Sequence, residues 1–105
     1  MCYTYVLSSG RDERFYTGTA RDLRSRMKLH TDGRVRSTAH RRPLTLIYYE
    51  ACLDVDDAFR RERFLNTGKG KRFLRNRLAT FLSRVSTNKL ERHWQTRRSR
   101  VKRNP

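Results

Sequence analysis

A chain of 105 residues makes one domain and little more. It carries 26 Lys and Arg against 10 Asp and Glu, a net charge of +16 at pH 7, with 35% hydrophobic residues. These values limit the core to a thin one and exclude a membrane span, which needs roughly 18 apolar residues in a row. A polyanionic partner follows from the charge, because basic groups that neutralise phosphates release condensed counterions. Solubility alone needs far less charge, and an anionic membrane surface would call for a long amphipathic helix with exposed bulky apolar residues. Arg11, Asp12, Glu13 and Arg14 arrive before any useful apolar stretch, so no secretory leader is read. Cys2 and Cys52 lie outside any CxxC or Cys/His cluster. A reduced, cytoplasmic setting is therefore expected, and a zinc site is not.

Residues 3–8 (YTYVLS) and 14–19 (RFYTGT) are short and rich in aromatic and β-branched residues, with a turn signal at Ser9-Gly10-Arg11-Asp12-Glu13 between them. They read as an antiparallel hairpin. In residues 21–31, Leu23 and Met27 fall four apart with Gly33 just beyond, which predicts a helix of about three turns. A basic loop from Gly33 to Arg42 ends at Pro43, and Leu44-Thr45-Leu46-Ile47-Tyr48-Tyr49-Glu50 reads as a third strand. Asp54, Asp56 and Asp57 supply an acidic start to a second helix running to about Leu65. Thr67-Gly68-Lys69-Gly70 is expected to break it, before Phe73, Leu74, Leu78, Phe81 and Leu82 define a third amphipathic helix. The expected fold is α/β: a small, three-stranded, mainly antiparallel sheet flanked by helices in the order β-β-α-β-α-α.

Composition shifts at residue 84. Residues 84–105 hold eight Lys or Arg against the single acid Glu91, which is +7 of the +16. Residues 1–83 are expected to form the domain and 84–105 a basic tail. Leu90 and Trp94 allow a short helix there, and the stretch after Arg97 reads as a disordered arm.

Five side chains stand out in order: Tyr5, Tyr16, Arg26, His30 and Glu62. Read alone, Tyr5 and Tyr16 are ordinary strand aromatics, Arg26 is a surface charge and His30 a structural hydrogen-bonder. Arg26 and His30 are four apart, so they project from one side of their helix. Gly18 inside a strand marks a close backbone approach or a bend. Glu62 shares a helical stripe with Ala58 and Leu65, at the margin of the apolar face. An ion pair with Arg60, Arg61 or Arg63 is the plain reading and contributes little. An inward-leaning carboxylate is better matched by a cation.

In order and spacing, Tyr3-Thr4-Tyr5-Val6-Leu7, Phe15-Tyr16-Thr17-Gly18-Thr19, Asp22 to His30 and Arg60-Arg61-Glu62 resemble the GIY-YIG nuclease family in its small single-domain form. The resemblance covers about residues 3–83 and includes Ser37-Thr38, Arg42-Pro43-Leu44, the third strand to Glu50, Thr67-Gly68 and Arg72-Phe73-Leu74. Two positions depart from it: Ala20 stands where Thr or Ser is usual, and Asn66 where Lys is common.

The resemblance implies a metal-dependent endonuclease acting on DNA, with Tyr5, Tyr16, Arg26, His30 and Glu62 catalytic. Glu62 would be the sole protein ligand of one Mg²⁺, with Mn²⁺ as a substitute, and Glu50 would not be a second ligand. One carboxylate with waters and substrate oxygens is how Mg²⁺ is ordinarily held. Arg26 would stabilise phosphoryl charge, and a tyrosine, Tyr5 or Tyr16, would activate water. Tyrosine with its ordinary pKa of about 10 needs neighbouring cations to act as a base. Gly18, Arg24, Lys28, Arg42, Lys69, Lys71 and Arg72 are the expected nucleic-acid contacts, with no membrane and no small-molecule cofactor involved. The alternative is a non-catalytic DNA- or RNA-binding module on the same fold, and behind it a basic packaging protein.

Overall fold

The computed structural model describes residues 1–85. The chain opens with strands β1 (Cys2–Ser9) and β2 (Phe15–Ala20), paired antiparallel from Tyr3↔Ala20 to Ser8↔Phe15. The hairpin closes through Ser9 and Arg14, whose backbone N–H and carbonyl meet at 3.0 Å, and through Asp12 Oδ1, which accepts from the Arg14 N–H at 2.9 Å. After α1 (Leu23–Thr31) and α2 (Arg36–Ala39), strand β3 (Leu44–Cys52) pairs antiparallel on the other side of β1, giving the order β2-β1-β3. Then come α3 (Val55–Leu65) and α4 (Gly68–Arg77), with residues 79–85 again helical. The sheet is wholly antiparallel and the class is α/β, as the sequence pattern predicts.

As the middle strand, β1 supplies most of the core. Tyr5, Val6 and Leu7 are consecutive and all fully buried, so both faces of β1 are covered. Residues directly opposite in an antiparallel pair share a face. Thr4, Val6, Thr17 and Thr19 therefore look one way, and Tyr5, Leu7, Tyr16 and Gly18 the other. On the first face, the Thr4 hydroxyl donates to the Ala58 carbonyl at 2.9 Å and fixes α3 against β1. Ala58 and Leu65 of α3 are buried beside it. On the second face, Tyr5 meets α1.

Three expectations are corrected. The 33–42 stretch is not loop throughout, because residues 36–39 close one helical turn. Thr67-Gly68-Lys69-Gly70 does not break the chain as a unit. Asn66 caps α3, and Thr67 starts α4 by accepting the Gly70 N–H on its hydroxyl at 3.0 Å. That side-chain cap offsets the poor helix propensity of two glycines in the first turn. Gly70 is required because a Cβ there would collide with the Phe64 carbonyl. Finally, the third helix is interrupted at Leu78 rather than continuous to Leu82.

Two compact units divide at Gly70 and Lys71. The first holds the sheet and α1 to α3. The second opens with the rest of α4, in which Leu74 is buried. The expected short helix at Leu90 and Trp94 and the arm beyond Arg97 lie outside the described residues. No helix among the described residues is long and apolar enough to cross a membrane.

Leu65 is the largest fully buried side chain of α3. Leu65→Ala is expected to lower unfolding free energy by about 2–5 kcal/mol. Urea titration followed by circular dichroism checks this, and a loss under 1 kcal/mol would remove Leu65 from the core.

Candidate active site

Tyr5 pairs with Gly18 across β1 and β2, and its ring lies over the place a Gly18 side chain would occupy. A Cβ there would strike the Tyr5 hydroxyl. The glycine thus makes room for a tyrosine, a more specific reason than the close backbone approach or bend read from the sequence. Tyr16 stands two residues along on the same face, its ring 6.4 Å from that of Tyr5 and tilted by 45°. Tyr5 is 0% exposed, whereas Tyr16 is half-buried.

Helix α1 brings Arg26 and His30 to this face. Its start is set by Asp22, whose carboxylate accepts from the Ser25 N–H at 3.0 Å and the Ser25 hydroxyl at 2.9 Å. Its end is marked by Gly33 at φ +75°, the left-handed position where a helix commonly stops. Leu23 and Met27, expected to carry the inward stripe, are only half-buried, and the residue that α1 buries is His30. The imidazole Nε2 lies 2.8 Å from the Tyr5 hydroxyl, and Nδ1 lies 2.8 Å from Thr38 Oγ1. The ring also meets Tyr16 edge-on at 5.5 Å. Arg26 Nε donates to the Tyr5 oxygen at 3.4 Å.

The neutral ring has one donor and one acceptor nitrogen, and it bridges the Thr38 and Tyr5 hydroxyls with them. The Tyr5 oxygen also accepts from Arg26. Burial first, then the Arg26 charge, lowers the His30 pKa below its ordinary 6.5 and keeps the ring neutral. Burial raises Tyr5 above 10.0, outweighing the hydrogen bond from Arg26 that draws it down. Of the two candidate bases, Tyr5 is thus the one whose hydroxyl burial holds protonated. Both tyrosines hold Arg26 in its charged form, since hydrogen bonding to Tyr5 and Tyr16 raises its pKa.

Sequence reasoning placed Thr38 in the resemblance but gave it no role. It sits fully buried in α2, a single turn inside a stretch that reads as polar loop, and nothing in its neighbours signals that its hydroxyl orients a histidine.

Glu62 comes from the other face. Asp54 caps α3 by accepting the Asp56 N–H at 2.8 Å, and this sets the phase that buries Ala58 and Leu65 with Glu62 half-buried between them. The Thr19 hydroxyl donates to Glu62 Oε1 at 2.5 Å. Thr19 is a second residue the sequence did not single out, one position from the Ala20 departure. Arg60 pairs with Asp57 at 2.9 Å, and Arg61 forks onto both oxygens of Glu50, which also accepts from the Tyr48 hydroxyl at 2.6 Å. No basic side chain among the described residues is within ion-pair distance of Glu62.

A half-buried carboxylate without a cationic partner fits a hard cation completed by waters. No group of three or more His, Cys, Asp or Glu among the described residues would make a closed cage. The structure thus gathers Tyr5, Tyr16, Arg26 and His30 on the α1 face and places Glu62 on the α3 face. They meet at β2, an edge strand, where Tyr5 covers Gly18 and Glu62 holds the adjacent Thr19. Glu62 is near enough for its charge to help raise the Tyr5 pKa.

Of the expected nucleic-acid contacts, Gly18 is buried under Tyr5, and Arg24 and Lys28 are exposed on α1. Lys28 pairs only loosely with Asp32, at 3.9 Å. Arg42 donates to the carbonyls of Ala39 and Thr31, so it ties α2 to the end of α1 while staying exposed. Lys69 is exposed in the first turn of α4, and Lys71 and Arg72 are exposed in the second unit.

Residues 1–78 match the GIY-YIG catalytic domain. The chain belongs to the GIY-YIG family. No curated protein and no solved structure matches it. Membership gives this GIY-YIG chain a nuclease-type fold and makes nucleic acid its class of substrate.

A neutral, buried His30 makes stability depend on pH. Its folded pKa lies below 6.5, so as pH falls below 6.5 the unfolded chain takes up a proton that the native chain does not. Stability is therefore expected to fall from pH 7 toward pH 5. Urea titrations of the parent and His30→Asn across that range check this. The parent should show the steeper loss, and parallel curves would mean that His30 is not held neutral.

Proposed function

We propose that this GIY-YIG protein is a metal-dependent endonuclease that hydrolyses phosphodiester bonds in DNA. The observation that carries the reading is the placement of two unlike groups on the two faces of edge strand β2. On one face Arg26 donates to the Tyr5 hydroxyl that covers Gly18, and on the other Glu62 holds Thr19 with no cationic partner among the described residues. A phosphate along that edge would touch both.

Arg26 would bind a non-bridging oxygen of the scissile phosphate and strengthen its hold as negative charge accumulates there. Its direction is set by Tyr5, itself fixed by neutral His30 and Thr38. Tyr5 is fully buried and its oxygen already engaged, so it serves as a positioning residue. The half-buried Tyr16, near the same guanidinium, would act as a phenolate and take the proton of the attacking water. As the new P–O bond forms, the bond to the leaving oxygen breaks, that oxygen takes a proton from solvent, and Tyr16 gives the proton it gained back to solvent. Glu62 would hold Mg²⁺, with Mn²⁺ as a substitute, and Thr19 would keep one carboxylate oxygen aimed. The bound cation would supply Lewis-acid charge to the phosphoryl and leaving oxygens.

Cleavage of labelled DNA and RNA with Mg²⁺ against EDTA tests this. Glu62→Ala should abolish cutting and leave binding in place, and a variant that cuts like the parent would show the metal assignment to be wrong. Tyr16→Phe should lose about 10²–10⁴ in rate, the range of general-base catalysis. Tyr5→Phe should lose less. The reverse order would exchange the roles of the two tyrosines. Salt-sensitive binding without cutting on any substrate would leave a binding module.

A further inference from the structure

Beside the catalytic cluster, on the α1 face, lies an open cleft of ≈ 630 Å³ that the reaction above does not use. Tyr3 and Tyr49 wall one side, Leu23 and Met27 of α1 the other, with Arg21 and Arg24 at its rim. Tyr3 is two residues before Tyr5 on the same face of β1. The cleft is thus about 7 Å along the strand from the Tyr5 position, within reach of a neighbouring nucleotide.

Its chemistry is that of a base site. Tyr49 keeps 54% of its surface exposed, and it meets Tyr3 edge-on at 6.0 Å. An exposed aromatic face beside aliphatic side chains suits any base, because every base has a π-face. Neither Arg21 nor Arg24 forms an ion pair among the described residues, so both guanidiniums can serve a phosphate. The one acid in the lining, Asp22, has both carboxylate oxygens on Ser25. A paired base stays inside its duplex and cannot enter a side cleft, whereas an unpaired one can.

We infer that this cleft, lined by Tyr3, Tyr49, Leu23 and Met27, holds the unpaired base of the nucleotide next to the scissile phosphate, with Arg21 and Arg24 on its backbone. The inference rests on the nucleic-acid reading above and makes it narrower. The substrate is a strand with an unpaired nucleotide beside the cut, such as a gap, flap or single strand, in preference to continuous duplex.

The test uses the full-length protein in EDTA, so that binding is read without cutting. The probes are a single-stranded oligonucleotide carrying 2-aminopurine and the fully paired duplex of the same sequence. Binding should quench 2-aminopurine in the single strand, and Tyr49→Ala should remove the quench. The same change should weaken single-strand affinity by about 5-fold to about 150-fold, the range for losing one base–aromatic stack. Duplex affinity should change by less than about twofold. Tyr49→Leu, which keeps an apolar strand residue but no π-face, should behave like Tyr49→Ala. Unchanged quenching in both variants, or equal losses on single strand and duplex, would overturn the base site.

Cleavage by the same proteins separates the two readings. Metal-dependent cutting whose preference for unpaired strands survives Tyr49→Leu defeats the cleft and spares the nuclease. Tyr49-dependent quenching without cutting does the opposite.

Discussion

The hydrogen bond between the Tyr5 hydroxyl and His30 Nε2 is the contact on which the site's geometry depends. It joins the middle strand to the first helix in a place from which water is excluded, and it is directional at both ends. A buried hydroxyl or imidazole without a partner would cost about 1–3 kcal/mol, so each group needs the other. Thr38 fixes the far side of the ring. Arg26 then has one fully ordered oxygen to lean on. A flexible cation in a chain of net charge +16 would otherwise be one of many. The polar chain makes this one different, because its position is decided by the fold rather than by the ligand.

The same contact sets the two tyrosines apart in their surroundings. They are alike in sequence context, both on short strands and both followed two residues on by small or apolar neighbours. Pairing decides between them. Tyr5 is on the central strand opposite a glycine and is drawn fully inside, while Tyr16 is on the edge strand and keeps contact with solvent. Burial raises the pKa of Tyr5, and Tyr16 keeps the greater exposure of the two.

Strand alternation, the Asp-rich helix start and the stop at Gly33 were readable along the chain because each is a local rule. So was the stripe that holds Ala58, Glu62 and Leu65, which needs only a helical period. Thr38 and Thr19 were not readable. Their roles are contacts across 8 and 43 residues of chain, made by hydroxyls that look like any other polar side chain until the topology brings their partners near. The burial that raises the Tyr5 pKa was not readable for a related reason. Neighbouring cations can be counted in a sequence, but desolvation depends on what covers the residue. Likewise, Leu23 and Met27 mark the apolar side of α1, yet the helix rotates far enough to bury His30 instead.

Helix α3 carries its metal-binding candidate on the seam that packs it, with Glu62 between two buried apolar residues. Its rotation about its own axis is therefore under two constraints that cannot be relaxed separately. One residue added or lost between Ala58 and Glu62 would turn the carboxylate and Leu65 together by roughly 100°, away from Thr19 and the core, or else pull Ala58 out of it. Substitutions on the outer side of the helix face no such limit. Drift in this segment should run through exchanges of side chains at constant length, with the loops before Val55 and after Leu65 absorbing any change in residue number.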